Sequence, residues 1–555
     1  MTSGRGGALG AGVLAPTAAL AGLAASASFA PFGAWPGAIV AVAVLAWCVR
    51  RSPAWPVSVV LGWVFGLAFM ATSLVWQTSI MIASYTGLTL VTSFLYAAIA
   101  GLLHAVRGAR AAPLWGAGVW VAAELVMSVF PFDGFAWMRL GYSQVESPLA
   151  GFYPFGGAAS VTFLVALLGH LLAALETRPG RPRAALVAGV VGVAVMGVGA
   201  LGARWMPEPQ PEAGSVEVGW VQGGAPGGGV YGLGPARTIT DNSRAETLRL
   251  LERIDAGELP RPAFVAWPEN STDMDPRQDA LTRQAVEDAV RAAGVPILVG
   301  SIYEDRARQE RQTVAVWWTD AGPQETYAKR NLVPFGEWIP FRGFFLPLIP
   351  QLAYVGYQSV PGTSPGSLAV DLPDGRAISV GVAICYEVIY PATLYEAAAA
   401  GAQVMIVQSS NAMYQGTNQI DQQFAITRVR AAEMRREILV VTTSGLSGLI
   451  GPRGEVLAEE PASVAASGVH GLPLRGQATP VMAIGAGVEL ALASLAAVGV
   501  LLAWLARRRA GTGGTMDPDP ERGDEVRRAP WGSRTTDWVE SWSSSRRSTR
   551  SRTST

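Results

Sequence analysis

Apolar and polar positions divide this chain into two kinds of segment. Seven apolar runs precede residue 207, at 8–29, 32–49, 56–77, 86–106, 112–130, 153–175 and 184–204, and an eighth lies at 482–506. Each is about as long as a bilayer-crossing helix, which needs roughly 18 or more apolar residues. Ala25-Ser26-Ala27 resembles a leader cleavage site, but Phe29-Ala30-Pro31-Phe32-Gly33 leads straight into the second run, so the first run is read as a retained span.

Between 208 and 480 the pattern changes. Short β-rich runs, at 216–222, 263–267, 296–302, 313–319, 377–385, 403–408 and 438–443, alternate with helical patterns at 240–255, 279–293, 391–401 and 417–436. That alternation predicts an α/β domain, and a segment of this length buries a substantial core. Residues 508–555 are rich in Ser, Arg, Thr and Asp and poor in aliphatics, so a disordered tail is expected. The predicted organisation is a seven-helix membrane domain at 1–207, a catalytic domain at 208–480, an eighth membrane helix at 481–507 and the tail.

Charge adds direction. Only 15% of residues are charged, where a soluble domain carries roughly a quarter, and the 42 basic and 42 acidic residues cancel. Arg5, Arg50 and Arg51, Arg107 and Arg110, Arg178, Arg181 and Arg183, and Arg507–Arg509 all fall in alternate loops. Arginine-rich loops mark the cytoplasmic side, which puts both termini inside and the 208–480 domain outside the cell membrane. Glu124 stands within an apolar run, and an intramembrane carboxylate is a functional suspect by default.

Three polar segments stand where strands are expected to end: Trp267-Pro268-Glu269-Asn270, Tyr327-Ala328-Lys329-Arg330 and Ile384-Cys385-Tyr386-Glu387. Singly each has a plainer meaning: a solvated loop carboxylate, a surface lysine, a small buried thiol. Lys329, however, is the only lysine in the chain, so arginine did not replace it here. The three histidines offer Cys385 no obvious base, since His104 and His170 lie in apolar runs. Together the three segments make a coherent set. Glu269 takes the Cys385 proton, and Lys329 and the Tyr386 backbone N–H meet the oxyanion of a tetrahedral intermediate.

This Glu–Lys–Cys order resembles the nitrilase superfamily of carbon–nitrogen hydrolases. The flanks narrow the resemblance. Lys329-Arg330-Asn331-Leu332-Val333-Pro334-Phe335-Gly336-Glu337-Trp338-Ile339-Pro340, Cys385-Tyr386-Glu387, Gly134-Phe135-Ala136-Trp137, Leu140-Gly141-Tyr142-Ser143-Gln144 and Phe29-Ala30-Pro31-Phe32 are similar to motifs of the apolipoprotein N-acyltransferases. The resemblance covers about residues 10–506. It implies a membrane domain of about eight transmembrane helices carrying an extramembrane nitrilase-like α-β-β-α sandwich.

The resemblance also implies an activity: transfer of a fatty acyl chain from a phospholipid to the α-amino group of S-diacylglyceryl-cysteine in lipoproteins, through a thioester on Cys385. Glu337 would then orient the site, and Tyr386, Glu387, Tyr231 and Asn411 would support it. Trp338, Phe341, Phe344, Phe345 and Leu346 would form a lipid-facing arm. The implied partners are phospholipid, diacylglyceryl lipoprotein and membrane lipid, acting on a monomer. No cofactor, metal or nucleic acid is expected, since no His/Cys cluster has ligand spacing.

The sequence departs from the family at several points. Tyr231 replaces the tryptophan usual after Gln222. Ser409-Ser410-Asn411-Ala412-Met413-Tyr414 lacks the usual acidic residue and Trp–Phe pair, 416–423 lacks the usual histidine, and Arg311-Gln312-Thr313 replaces Tyr-Asn-Ser. The competing readings are a membrane-tethered amidase with water as acceptor, and a catalytically weak paralogue acting as a membrane scaffold.

Overall fold

The computed structural model describes residues 11–176, 182–207, 210–212 and 214–512. Met1–Leu505 form one compact unit. The second, Ala506–Thr555, is described only to Thr512, so most of the expected disordered tail lies outside the described residues.

Seven helices come first: α1 (Ala11–Ala27), α2 (Pro36–Arg51), α3 (Trp55–Ser73), α4 (Ile82–Val106), α5 (Ala112–Met127), α6 (Tyr153–Glu176) and α7 (Pro182–Trp205). Prolines in the first turn open α2, α3 and α5, where the missing N–H costs no helical hydrogen bond. Small residues let the helices approach. A Cβ on Gly62 of α3 would lie 2.2 Å from the Tyr96 carbonyl of α4. On α7, Leu186, Val187, Val190 and Val193 all face outward, an exposure that suits lipid rather than water. Among the described residues, five helical stretches are long and apolar enough to cross a membrane: Trp55–Ser73, Ile82–Val106, Pro148–Leu175, Ala185–Trp205 and Pro480–Arg509. Gly12–Ala27 and Ala112–Met127 are shorter apolar helices.

The chain then alternates strands and helices: β1 (Ser215–Gln222), α8 (Thr238–Asp255), β2 (Phe264–Ala266), α9 (Ala280–Ala293), β3 (Ile297–Asp305), β4 (Glu310–Thr319), β5 (Gly322–Ala328), α10 (Arg342–Leu348), β6 (Gln358–Ser359), β7 (Ser367–Asp371), β8 (Ala377–Ile384), α11 (Pro391–Ala399), β9 (Val404–Ser409), α12 (Gln419–Met434), β10 (Ile438–Thr442), β11 (Ser447–Ile450), β12 (Val456–Glu460) and β13 (Ala466–Pro473). The last helix, α13 (Pro480–Thr512), follows.

Two sheets form. One runs β13-β1-β2-β3-β4-β5 with β6 on β4, and the other runs β12-β11-β10-β9-β8-β7. Strand alternation explains how they stack. Leu298, Ala315 and Trp317 of the first sheet meet Val380, Val382, Ile406 and Val441 of the second in a shared core. The opposite side chains, Ile297, Val299, Val314 and Trp318, pack under α8 and α9. On the far side of the second sheet, Ala383, Met405, Val407 and Ile438 join residues of α11 and α12. The result is an α-β-β-α sandwich. The same apolar cluster continues into the helical bundle, so the two bodies share one core.

Polar groups fix the joint between them. Gln422 of α12 accepts the indole N–H groups of Trp76 (3.0 Å) and Trp137 (2.8 Å) and donates to the Ser73 carbonyl (3.1 Å). Tyr386 and Tyr390 donate to the carbonyls of Gly134 (3.1 Å) and Asp133 (2.9 Å), and Tyr142 donates to Ile389 (3.1 Å). Glu124 is buried but fully engaged: it pairs with Arg139 (3.2 Å) and accepts from Thr162 and the Leu140 N–H. Arg139 also pairs with Glu489 of α13, which ties the last helix to the bundle.

Candidate active site

Four chain segments converge where β2, β5, β8 and β9 end. Each carries a non-glycine residue in the left-handed region: Asn270 (φ 51°), Phe335 (φ 61°), Cys385 (φ 53°) and Asn411 (φ 52°). Such conformations are unfavourable and cluster where side chains must be aimed. Pro268 leads into the Glu269 turn across β3, and a Cβ on Gly300 would stand 2.0 Å from the Pro268 carbonyl, so only glycine allows that crossing.

The only lysine lies at the centre. Lys329 is buried, directly after β5, and its Nζ donates to Glu269 Oε1 at 3.1 Å and Glu337 Oε1 at 2.8 Å. Burial opposes its charge, yet these two carboxylates hold it well above the ordinary lysine range. The second oxygen of each carboxylate is also occupied: Glu269 Oε2 accepts the Ser410 N–H (2.9 Å) and Glu337 Oε2 accepts the Val333 N–H (2.7 Å). Glu337 therefore closes its own turn while holding the ammonium.

Cys385 follows β8 at the start of a short 3-10 helix, Cys385–Ile389, and is half-buried. Burial first, then the Glu269 charge, pushes its thiol up to about 12, against the pull of Lys329 and a hydrogen bond with Ser409. At rest the sulfur holds its proton. A thiolate forms only as that proton leaves.

Glu387 joins the two strand ends. It accepts from Tyr327 Oη (2.8 Å), the Arg330 N–H (2.7 Å), the Asn331 N–H (3.2 Å) and, on its other oxygen, the Ile384 N–H (2.8 Å). Asn411 donates to Gln419 (2.8 Å) and Gln423 (2.6 Å), anchoring the loop that supplies the Ser410 N–H. Tyr386 stacks on Trp137 at 6.2 Å, so it supports the site from the bundle side.

The remaining predicted residues fall on the periphery. Tyr231 is 94% exposed in its glycine-rich loop and is not brought to the buried cluster, because that loop turns outward after Gly229 hydrogen-bonds Met413. In the arm, Phe341 (74%) and Phe344 (66%) are exposed, while Phe345 and Leu346 pack on Ile339, Leu352 and Val355, and Trp338 is half-buried. Phe132 of the bundle meets Phe335, Phe341 and Phe345 at 5.5–6.3 Å. Sequence reasoning gave Ser409, Ser410, Gln422 and Gln423 no role in the site, although it marked 409–414 and 416–423 as departures from the family; their local signal is a run of polar residues after an apolar strand and along a helix that is otherwise buried.

Residues 21–171 match the apolipoprotein N-acyltransferase N-terminal domain, and residues 261–464 match the carbon–nitrogen hydrolase domain. The chain is 35% identical over 481 residues to an apolipoprotein N-acyltransferase of Mycolicibacterium smegmatis, covering 81% of this chain and 79% of the relative. It is 27% identical over 496 residues to that of Coxiella burnetii, covering 84% and 93%. Among solved structures, an amidase from Nesterenkonia sp. aligns with a TM-score of 0.35 at 17% identity, over 48% of this chain and 94% of that one. The chain belongs to the apolipoprotein N-acyltransferase family, membrane acyltransferases within the carbon–nitrogen hydrolase superfamily.

Proposed function

We propose that the chain moves an acyl group from a phospholipid to the α-amino group of an S-diacylglyceryl-cysteine lipoprotein by a ping-pong route through Cys385. The observation that carries this reading is the Lys329 ammonium held between Glu269 and Glu337 beside the Cys385 sulfur. In the first half, Glu269 takes the thiol proton as sulfur attacks the ester carbonyl. Lys329 and the Tyr386 N–H stabilise the oxyanion, and its collapse expels the lysophospholipid alkoxide, which recovers the proton from Glu269. In the second half, the lipoprotein amine attacks the thioester, Glu269 accepts an amine proton, and the C–S bond breaks as Glu269 returns that proton to the departing Cys385 sulfur and the amide forms.

The lipid substrates account for the rest of the architecture. All eight apolar helices, α1–α7 and α13, span the membrane, with the arginine-rich loops and both ends in the cytoplasm and the sandwich on the outer face. The exposed aromatic arm dips toward the lipid and admits acyl chains, while an acyl chain seated over the half-buried Cys385 keeps water from the thioester. The protein works as a monomer.

Mass spectrometry of purified protein incubated with phospholipid tests this. A thioester-linked acyl chain on Cys385, discharged to an amide by a diacylated lipopeptide, is expected. Discharge to free fatty acid instead would make the enzyme an amidase-like hydrolase, and no adduct at all would leave only a scaffold.

A further inference from the structure

Gln408 carries an amide into the apolar layer between the two sheets. It is fully buried near the end of β9, and its parallel partner on β8 is Ile384, the residue before Cys385. Strand alternation puts it on the same face as Ile406, which belongs to the core that the two sheets share. Across that core its Nε2 donates to the Trp267 carbonyl at 2.6 Å and, more weakly, to the Leu298 carbonyl at 3.4 Å. Trp267 directly follows β2 and lies two residues before Glu269.

Both contacts are to backbone carbonyls, which can only accept, so the orientation of the amide is fixed. Turned over, its oxygen would stand against a carbonyl oxygen. As placed, Gln408 Oε1 is buried without a hydrogen-bond partner among the described residues. An unmet polar atom in a core costs about 1–3 kcal/mol, which a methionine of similar length would avoid. Packing therefore does not account for an amide here, and the group it touches does. The Trp267 carbonyl marks the point where β2 leaves its sheet. The Trp267 N–H still pairs with the Leu298 carbonyl at 2.9 Å, but Pro268 has no N–H to continue the ladder, and the chain crosses Gly300 into the Glu269 turn.

We infer that Gln408 is a positioning residue for the reaction, whose amide ties the root of the Glu269 turn to the strand that runs beside Cys385 and so fixes the distance from carboxylate to sulfur. This rests on the reading of Glu269 as base and Cys385 as nucleophile. The two groups stand on different sheets, Glu269 after β2 in the first and Cys385 after β8 in the second, so no strand ladder sets their spacing. Two residues beyond Gln408, the Ser410 N–H donates to Glu269 Oε2 at 2.9 Å. The segment 408–410 thus holds the Glu269 turn both at its root and at its carboxylate. Glu387 joins the ends of β5 and β8, and Gln408 with Ser410 joins those of β9 and β2. Proton transfer from sulfur to carboxylate needs the two within hydrogen-bond reach, and a displacement of about 1 Å can cost about a hundredfold.

The test uses the full-length protein in detergent micelles and reads single-turnover acylation of Cys385 from phosphatidylethanolamine over a series of lipid concentrations. Gln408→Met keeps the length of the side chain and removes its donor. The maximal acylation rate is expected to fall about tenfold or more, with the half-saturating lipid concentration unchanged within about twofold. In a Glu269→Gln background the same substitution should lower the residual rate by less than about twofold, because the carboxylate it acts through is already gone. If the methionine variant does not fold, Gln408→Asn, which keeps the donor on a shorter stem, carries the same cycle. An equal loss in both backgrounds, a change confined to the half-saturating concentration, or a native rate would overturn the assignment while leaving Glu269 as base and Cys385 as nucleophile. Native acylation by Glu269→Gln alone would instead remove the base itself, and acyl transfer by Cys385→Ser the nucleophile.

Discussion

Glu387 accepts the backbone N–H of Arg330 at 2.7 Å, so the turn that carries Cys385 is tied directly to the strand end that carries Lys329. The same carboxylate also takes the Ile384 N–H on the Cys385 side. One buried side chain thus sets the spacing between the Cys385 sulfur and the Lys329 ammonium.

Replacing Glu387 by Gln turns an acceptor-only group into one that must point an NH2 at a backbone N–H. Leaving a buried donor unmet costs about 1–3 kcal/mol. Acyl-enzyme formation is expected to fall roughly ten- to a hundredfold as the sulfur and ammonium lose their register. Single-turnover acylation measures this, and a rate within a factor of about two of the native enzyme would mean that Glu387 does not set the geometry.

Lys329 sits buried between two carboxylates, a space shaped for a compact ammonium. Lys329→Arg should reduce acylation by about a hundredfold or more although the charge is kept, because the flat guanidinium cannot reproduce both contacts and still face an oxyanion. Lys329→Met should also lower stability by about 3–5 kcal/mol, since it leaves the carboxylates unpaired. Turnover and thermal unfolding in detergent separate the two effects. Native-like turnover by the arginine variant would reduce the lone lysine to an accident of composition.

The Cys385 thiol, pushed up to about 12 by burial and Glu269, predicts a pH profile. A raised acid keeps its proton, so the thiolate fraction in the free enzyme should still climb tenfold per pH unit from about 7 to 10. Alkylation of Cys385 should follow it without levelling off. A plateau near neutrality would indicate a preformed thiolate–ammonium pair and a different proton pathway.

Gln422 satisfies two indole donors and one carbonyl across the joint between bundle and sandwich. Gln422→Leu should destabilise the protein by about 2 kcal/mol or more, with Gln422→Glu less harmful because it keeps both acceptor contacts. Thermal unfolding in detergent measures the difference. Equal stability of the leucine variant would show that apolar packing alone holds the joint.

The rings of Phe341 and Phe344 are mostly exposed and touch the protein only at ring edges, Phe341 against Phe132 and Phe344 against Phe345. Phe341→Ser with Phe344→Ser should raise the apparent KM for phospholipid about tenfold while leaving unfolding unchanged and leaving lipopeptide discharge of a preformed thioester at its native rate. A change in the discharge rate would assign the arm to the acceptor rather than the donor.

Hydropathy alone marked the apolar runs that became α1–α7 and α13, because a helix apolar on nearly every face shows in local composition whatever it packs against. The strands β1–β4 and β8–β10 and the helices α8, α9, α11 and α12 were also legible, since each carries its own periodicity. So were Glu269, Lys329 and Cys385, because strand ends and residue chemistry are local. Other features rested on distant pairings. β5, β7 and β11–β13 are short or polar and exist as strands only through their neighbours, as β13 does along β1. The exposure of Tyr231, the Glu387 tie, the Gln422 joint and the Gln408–Trp267 contact each depend on which residues meet across long stretches of chain. The sequence by itself determined what each segment could be and which groups could do chemistry. Only the tertiary structure decided which of those groups share a pocket, because hydrogen-bond satisfaction and packing in a closed core are properties of the assembled whole.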